Sequence, residues 1–190
     1  MGTLLAGIII FFGIHSVSIF NANWRDSMQE RLGAWTWRGI YSLISIIGLV
    51  LLVYGYDQAR PGSSVLYTTP GWLRHVSMLL MIFVFPMFLA TYLPGRIKST
   101  LKHPMLVATK TWAVAHLLVN GSVADVLLFG SFLLWAVADR ISLKRRRPRE
   151  LAFSAPEGKL NDVIAIVGGL AVYFAFVFWL HHRLIGVPVI

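Results

Sequence analysis

Six stretches almost free of charged side chains divide this 190-residue chain and constrain its fold more than any other feature. Each has close to the ~20 residues that a helix needs to cross a ~30 Å hydrocarbon core, although the fourth and fifth are shorter. With 57% apolar and 13% charged residues, the chain is predicted to be an all-α integral membrane protein, a single domain over 1–190 with about six transmembrane helices. We expect the first stretch to be retained rather than cleaved as a signal peptide. The stretches are residues 3–20, 39–56, 72–93, 105–119, 122–138 and 163–180.

The basic residues predict a membrane topology rather than a nucleic-acid partner. With the N-terminus outside, thirteen of the 17 Lys and Arg residues fall in inner connections and three in outer ones, a strong positive-inside bias. The predicted location is a bacterial inner (cytoplasmic) membrane, with both termini periplasmic and the run 144–149 touching anionic lipid headgroups. The inner set is Arg25, Arg31, Arg38, Arg96, Lys98, Lys102, Arg140, Lys144, Arg145, Arg146, Arg147, Arg149 and Lys159, and the outer set is Arg60, Arg74 and Arg183.

Two histidines, His15 and His116, lie inside these apolar stretches. An imidazole in hydrocarbon costs free energy unless its ring nitrogens have partners, so each is a candidate for a functional site. At 1.5 Å per residue they lie about 12 Å and about 16 Å above the inner edge of the hydrocarbon, similar depths that suit two ligands of one planar macrocycle. Taken singly, each is better explained by a hydrogen bond to a serine, threonine or backbone carbonyl of a neighbouring helix. The histidines outside the apolar cores are expected to be structural: His75, His181 and His182.

Residues around the two histidines allow more than one interpretation. Small side chains such as Gly7 and Gly13 indicate either close helix packing or room for a flat ligand. Aromatic residues stand one turn before each histidine, Phe11 and Phe12 in the first stretch and Trp112 in the fourth. The chain has no cysteine, which excludes disulfides, thiolate metal ligands and a thiol nucleophile.

Two further predictions concern the fourth and fifth stretches. Asn120 and Gly121 leave room for only a short connection, which predicts a tight antiparallel hairpin between the two helices. Asp125 then falls near the outer surface, where we expect an exposed acidic residue at the start of a helix rather than a proton carrier.

Several short motifs lie in or beside the first, second, fourth and fifth apolar stretches. They are Lys102-His103-Pro104-Met105, Trp112, His116-Leu117-Leu118, Asn120-Gly121, His15-Ser16, Arg25, Leu32-Gly33, Arg38, Tyr41-Ser42 and Ser45. Together these motifs resemble the NnrU family of membrane proteins. The family includes the plant and cyanobacterial zeta-carotene isomerase, and its bacterial members take their name from genes linked to nitrite and nitric oxide reduction.

The resemblance implies a haem b in the membrane with His15 and His116 as its axial ligands. Trp112 and Ala113 would then adjoin the cofactor, and His103 and Arg25 would support it. In the isomerase branch, a cysteine three residues before the second histidine is proposed to exchange with it as a ligand. This chain has Ala113 there. The implied role is redox chemistry or redox-gated isomerisation, with a redox partner, linked either to nitrite or nitric oxide metabolism or to a lipid-soluble substrate.

Two other functions stay open at this level. The His-Pro, Trp and Leu-Leu-x-Asn segment is also similar to isoprenylcysteine-type membrane methyltransferases, which bind S-adenosylmethionine. Those enzymes carry paired acids at the end of the next helix, where this chain has residues 139–145 with a single acid, Asp139. The third interpretation is a non-enzymatic membrane partner of a respiratory or denitrification complex, in which the histidines are structural.

Overall fold

The computed structural model describes residues 1–146, 153–187 and 189, so Arg147 and Arg149 of the basic run lie outside the described residues. Within these ranges the chain forms eight helices, and the predicted all-α class is confirmed. In chain order they are α1 (Gly2–Phe20), α2 (Ala22–Leu32), α3 (Ala34–Ala59), α4 (Leu73–Ala90), α5 (Arg96–Leu101), α6 (Pro104–Leu117), α7 (Val123–Ser142) and α8 (Asn161–Ile185), the last with a π-helical segment at Phe176–Leu180.

All six predicted stretches are helical, and four of them are long and apolar enough to cross a membrane: α1, α3, α4 and α8. Helix α6 has 14 residues. At 1.5 Å per residue it spans about 21 Å, less than the ~30 Å of hydrocarbon. Helix α7 has 20 residues but carries Asp125, Asp139 and Arg140 towards its ends. Membrane character therefore rests on the four longer helices, and a bundle of six spans stays a prediction.

The chain separates into two compact units, each built from two pieces of sequence. Unit 1 is Met1–Tyr67 with Ser122–Arg147 and contains α1, α2, α3 and α7. Unit 2 is Thr68–Gly121 with Pro148–Ile190 and contains α4, α5, α6 and α8. The prediction of one domain over 1–190 stays a prediction, as does the α6–α7 hairpin, because those two helices belong to different units.

Glycines bring α1 and α3 into close contact in unit 1. A Cβ atom added at Gly7 would lie 2.5 Å from the backbone nitrogen of Leu52, and one at Gly55 would lie 2.7 Å from Cα of Leu4. Only a residue without a side chain permits this approach, which is the packing that small residues give membrane helices. A Cβ at Gly13 would have nothing within 4 Å. The packing interpretation therefore holds for Gly7 and not for Gly13.

Helix α4 packs against both α6 and α8 in unit 2, and side-chain hydrogen bonds tie these contacts together. The Ser77 hydroxyl donates to the Ala115 carbonyl of α6 at 2.7 Å. The Tyr173 hydroxyl of α8 donates to the Met78 carbonyl at 3.2 Å. Each bond gives a hydroxyl inside an apolar helix a neutral hydrogen-bond partner. Such a bond offsets the free-energy cost of burying the hydroxyl, and no ionised group has to be buried with it.

The turn into α6 is formed by the Lys-His-Pro motif. Lys102 has a φ of +62°, and it is the only non-glycine residue with a positive φ in the described part of the chain. His103 is the N-cap of α6, and Pro104 occupies its first turn. Proline suits that position because its φ is already helical and its missing N–H has no intrahelical partner there. The motif therefore sets where α6 begins, and with it the position of His116 along the helix.

Candidate functional site

The His15 ring is oriented by a backbone hydrogen bond within α1. Its Nδ1–H donates to the carbonyl of Phe11 at 2.7 Å. A carbonyl only accepts, so this bond assigns the proton of the neutral imidazole to Nδ1 and leaves the lone pair on Nε2. The side chain is half-buried. Nε2 is therefore the atom of this side chain that suits a metal ion or a hydrogen-bond donor.

Aromatic rings from three helices of unit 1 surround the His15 imidazole. The Phe11 ring of α1 stacks on it, with centroids 4.1 Å apart and planes inclined by 27°. The Tyr41 ring of α3 lies at 5.3 Å, and the Trp135 ring of α7 lies edge-on at 5.7 Å. The predicted neighbour Phe11 is thus present, while Phe12 packs against Phe132 instead, at 4.9 Å. The surroundings limit the imidazole to few orientations.

Charged side chains stand next to this aromatic cage. Asp139 forms an ion pair with Arg146, and both side chains are largely buried, with 15% and 12% of their surface exposed. Asp139 is close enough to act electrostatically on the His15 ring and on the Tyr41 hydroxyl. Arg25 acts on Tyr41 as well. Its Nη1 pairs with Asp26 at 3.0 Å. The predicted supporting residue Arg25 therefore belongs to the same neighbourhood as His15.

His116 of unit 2 repeats the local geometry of His15. Its Nδ1–H donates to the carbonyl of Trp112, one turn earlier, at 2.9 Å, and this bond again leaves the ring's lone pair on Nε2. The Trp112 ring lies 5.0 Å from the imidazole, so the predicted aromatic neighbour is present. Ala113 is fully buried. The Asn120 side chain donates to the His116 carbonyl at 2.9 Å and closes the end of α6.

The predicted site residues are divided between the two units. Unit 1 contains His15 and Arg25. Unit 2 contains His116, Trp112, Ala113 and His103. Each histidine has its own oriented ring and its own aromatic neighbours within its unit.

Asp125 was expected to be exposed, and this expectation is wrong. Only 6% of the residue is accessible. It is indeed the acid of a helix start, because its carboxylate accepts the Ser122 N–H at 2.8 Å and the Ser122 hydroxyl accepts the Asp125 N–H in return. The burial comes from α3, whose Tyr56 hydroxyl donates to Asp125 Oδ1 at 2.6 Å. These two hydrogen bonds to the Asp125 carboxylate offset the free-energy cost of burying it.

The described residues contain no group of three or more His, Cys, Asp or Glu side chains that could hold a metal ion. Haem iron differs from a bare ion because the porphyrin supplies four of its ligands and the protein only one or two. Single oriented histidines such as His15 and His116 are suited to that second kind of site.

Comparison with known protein families gives a direct result. The family model described as NnrU protein matches residues 3–189, nearly the whole chain. The chain belongs to the NnrU family. The resemblance drawn from the His-Ser, His-Pro and His-Leu-Leu motifs is thus confirmed, and the match spans both units of this NnrU-family chain. No curated protein and no solved structure matches it significantly.

Trp135, Asp139 and Arg146 were not expected near His15 in this NnrU-family chain, although Trp135 contacts its ring, Asp139 acts on it electrostatically and Arg146 pairs with Asp139. Trp135 and Asp139 are four residues apart on α7, so they share one face of the helix. This spacing predicts that one face of α7 carries both an aromatic and an acidic side chain. Nothing in the sequence pairs this face with α1, because the contact joins segments more than a hundred residues apart.

Proposed function

We propose that this chain is an integral membrane haem b protein in which Nε2 of His15 and Nε2 of His116 are the axial ligands. The observation that carries the proposal is that each ring makes the same kind of hydrogen bond, from its Nδ1–H to the backbone carbonyl four residues earlier. Metal-ligating histidines use such a bond to fix the orientation and tautomer of the ring. Membership of the NnrU family supports the same pair of residues.

The neighbouring side chains fit a flat cofactor with carboxylate groups. Phe11 and Trp112 lie against the two imidazoles and would hold each ring in the orientation that its hydrogen bond sets. Arg25, on the polar side of the His15 neighbourhood, would contribute positive charge towards the carboxylates. His103, at the N-cap of α6, would act indirectly by fixing the start of the helix that carries His116.

The role proposed for the bound haem is redox chemistry or redox-gated isomerisation, linked either to nitrite or nitric oxide metabolism or to a lipid-soluble substrate. When bound, haem supplies a one-electron couple. The protein's own contribution is to exclude water with its apolar helices and to tune the couple through the hydrogen bonds on the two Nδ1 atoms. Because the chain lacks cysteine and has Ala113 three residues before His116, both histidines would be fixed ligands.

Purified protein in detergent tests this proposal through its visible absorption spectrum. We expect a Soret band, either as isolated or after haem is added, with one haem per chain and the bands of a low-spin, bis-histidine centre. Protein that binds no haem under either condition contradicts the proposal. Calorimetry with S-adenosylmethionine on the same sample separates the methyltransferase interpretation, since binding of that cofactor in place of haem would assign the chain to it.

We also propose that α6 and α7 join the four longer helices to make six spans in a bacterial inner membrane, with both termini in the periplasm. The positive-inside bias supports this topology. The natural chain has no cysteine, so single cysteines report on topology directly. In spheroplasts, an impermeant thiol reagent should label Thr68→Cys after α3 and should label Ser27→Cys in α2 only after the membrane is opened. Labelling of Ser27→Cys alone, or of both alike, contradicts the topology.

A further inference from the structure

We propose that a cleft at the end of α1 binds the phosphate group of an anionic phospholipid. The cleft belongs to unit 1 and has a volume of about 540 Å³. It lies where the last turn of α1, the start of α2 and the last turns of α7 meet. This site is separate from the proposed function, because none of its lining residues is a proposed haem ligand.

The position of the cleft suits a lipid headgroup. Helix α1 is long and apolar enough to cross a membrane, so its last turn lies where hydrocarbon gives way to water. Two large apolar side chains at the rim remain exposed, Phe20 at 86% and Ile141 at 52%. A phospholipid presents acyl chains and a charged headgroup across this same boundary. The cleft therefore offers apolar contacts on one side and polar contacts on the other.

The polar lining is positively charged. Arg145 and Arg146 both line the cleft, and the lining residues in the described part of the chain include no Asp or Glu. Asp26 is paired with Arg25 and Asp139 with Arg146, so Arg145 supplies the net positive charge of the lining. Positive charge at the membrane surface favours an anionic headgroup over a zwitterionic one.

One hydrogen-bond donor in the lining of the cleft lacks an acceptor in the described part of the chain. The guanidinium of Arg146 gives one nitrogen to Asp139, but its Nε is buried and has no hydrogen-bond partner among the residues that the structure describes. Buried N–H groups are nearly always paired in folded proteins. A phosphate oxygen accepts from arginine in the planar, two-pronged geometry that the guanidinium favours. Asn23 adds an amide donor to the same cleft, so a phosphate would meet charged and neutral donors together.

Lipid titration followed by native mass spectrometry tests the assignment on full-length, delipidated protein in detergent. The probe is phosphatidylglycerol, compared with phosphatidylcholine and with soluble glycerol 3-phosphate. Arg145→Gln should weaken phosphatidylglycerol binding about tenfold, the loss of one charge-assisted contact. Lys144→Gln is the matched control, since Lys144 is the adjacent exposed cation outside the cleft. It removes the same charge and should leave binding within about twofold.

Arg146→Lys gives a second readout that keeps the charge beside Asp139. Lysine cannot place a donor where the arginine Nε lies, so binding should weaken while the protein keeps its melting temperature. Equal losses in Lys144→Gln and Arg145→Gln would overturn the site in favour of diffuse attraction. Phosphatidylcholine binding as tightly as phosphatidylglycerol would also overturn it, and displacement of the lipid by glycerol 3-phosphate at similar concentration would assign the cleft to a soluble phosphate ester.

Discussion

Replacing His15 or His116 with alanine is expected to abolish the low-spin spectrum of the haem-loaded protein. Each change removes one of the two proposed axial ligands, and an iron with a single imidazole becomes high-spin or loses its haem. We expect the low-spin bands to disappear completely in either single variant. Absorption and electron paramagnetic resonance spectra of the purified variants measure the change.

The exposed His75 of α4 provides the matched control, because His75→Ala changes the same residue type outside the apolar cores. Its spectrum should equal that of the unaltered protein. A ligand role is separated from a packing role by glycine variants at His15 and His116, to which free imidazole should restore the low-spin bands. A variant that keeps the low-spin spectrum after losing His15 or His116 would remove that residue from the ligand set.

Enlarging Gly55 should destabilise unit 1 through the contact between α1 and α3. A methyl group there meets the backbone of Leu4, which cannot move without shifting the helix. We expect Gly55→Ala to lower the free energy of unfolding by about 1–3 kcal/mol, and Gly55→Leu to lower it further. Thermal unfolding in detergent, followed by circular dichroism, measures the series.

Gly13 in α1 is the matched control for this series, because a Cβ there has nothing within 4 Å. Gly13→Ala should be neutral or stabilising by up to about 1 kcal/mol, the ordinary gain in helix propensity. If Gly55→Ala behaved like Gly13→Ala, close approach of the two helices at Gly55 would not be a feature of the folded protein. Gly7→Ala should follow Gly55→Ala, since its Cβ would meet the backbone of Leu52.

Local features of this chain could be predicted well from sequence. Runs of 15 to 22 residues with at most one charged side chain identified all six apolar helices, because a helix satisfies its backbone hydrogen bonds internally and so suits apolar surroundings. Spacing by one helical turn placed Phe11 beside His15 and Trp112 beside His116, as the ring contacts confirm. These predictions depend only on the geometry of a single helix.

Features that join distant segments could not be predicted in the same way. Asp125 follows the rules of a helix start, yet its burial depends on Tyr56, a residue 69 positions earlier in another helix. Gly7 and Gly13 are alike in sequence terms, and only the position of α3 makes the first a packing residue and the second an open one. The ion pair between Asp139 and Arg146 was not predicted, because Arg146 belongs to the basic run 144–149, which was expected to touch lipid headgroups.

The division of the chain into two interrupted units has a consequence for its biosynthesis. The first segment of unit 1 ends at Tyr67 and its second segment begins at Ser122. The ribosome therefore synthesises α4, α5 and α6 before α7 is available. Until then the Tyr56 hydroxyl of the nascent α3 lacks its acceptor, Asp125. Unit 2 in turn waits for α8, which follows α7 in the chain. Neither unit can therefore be completed from one continuous segment of the nascent chain, because each needs a helix that is synthesised after part of the other unit.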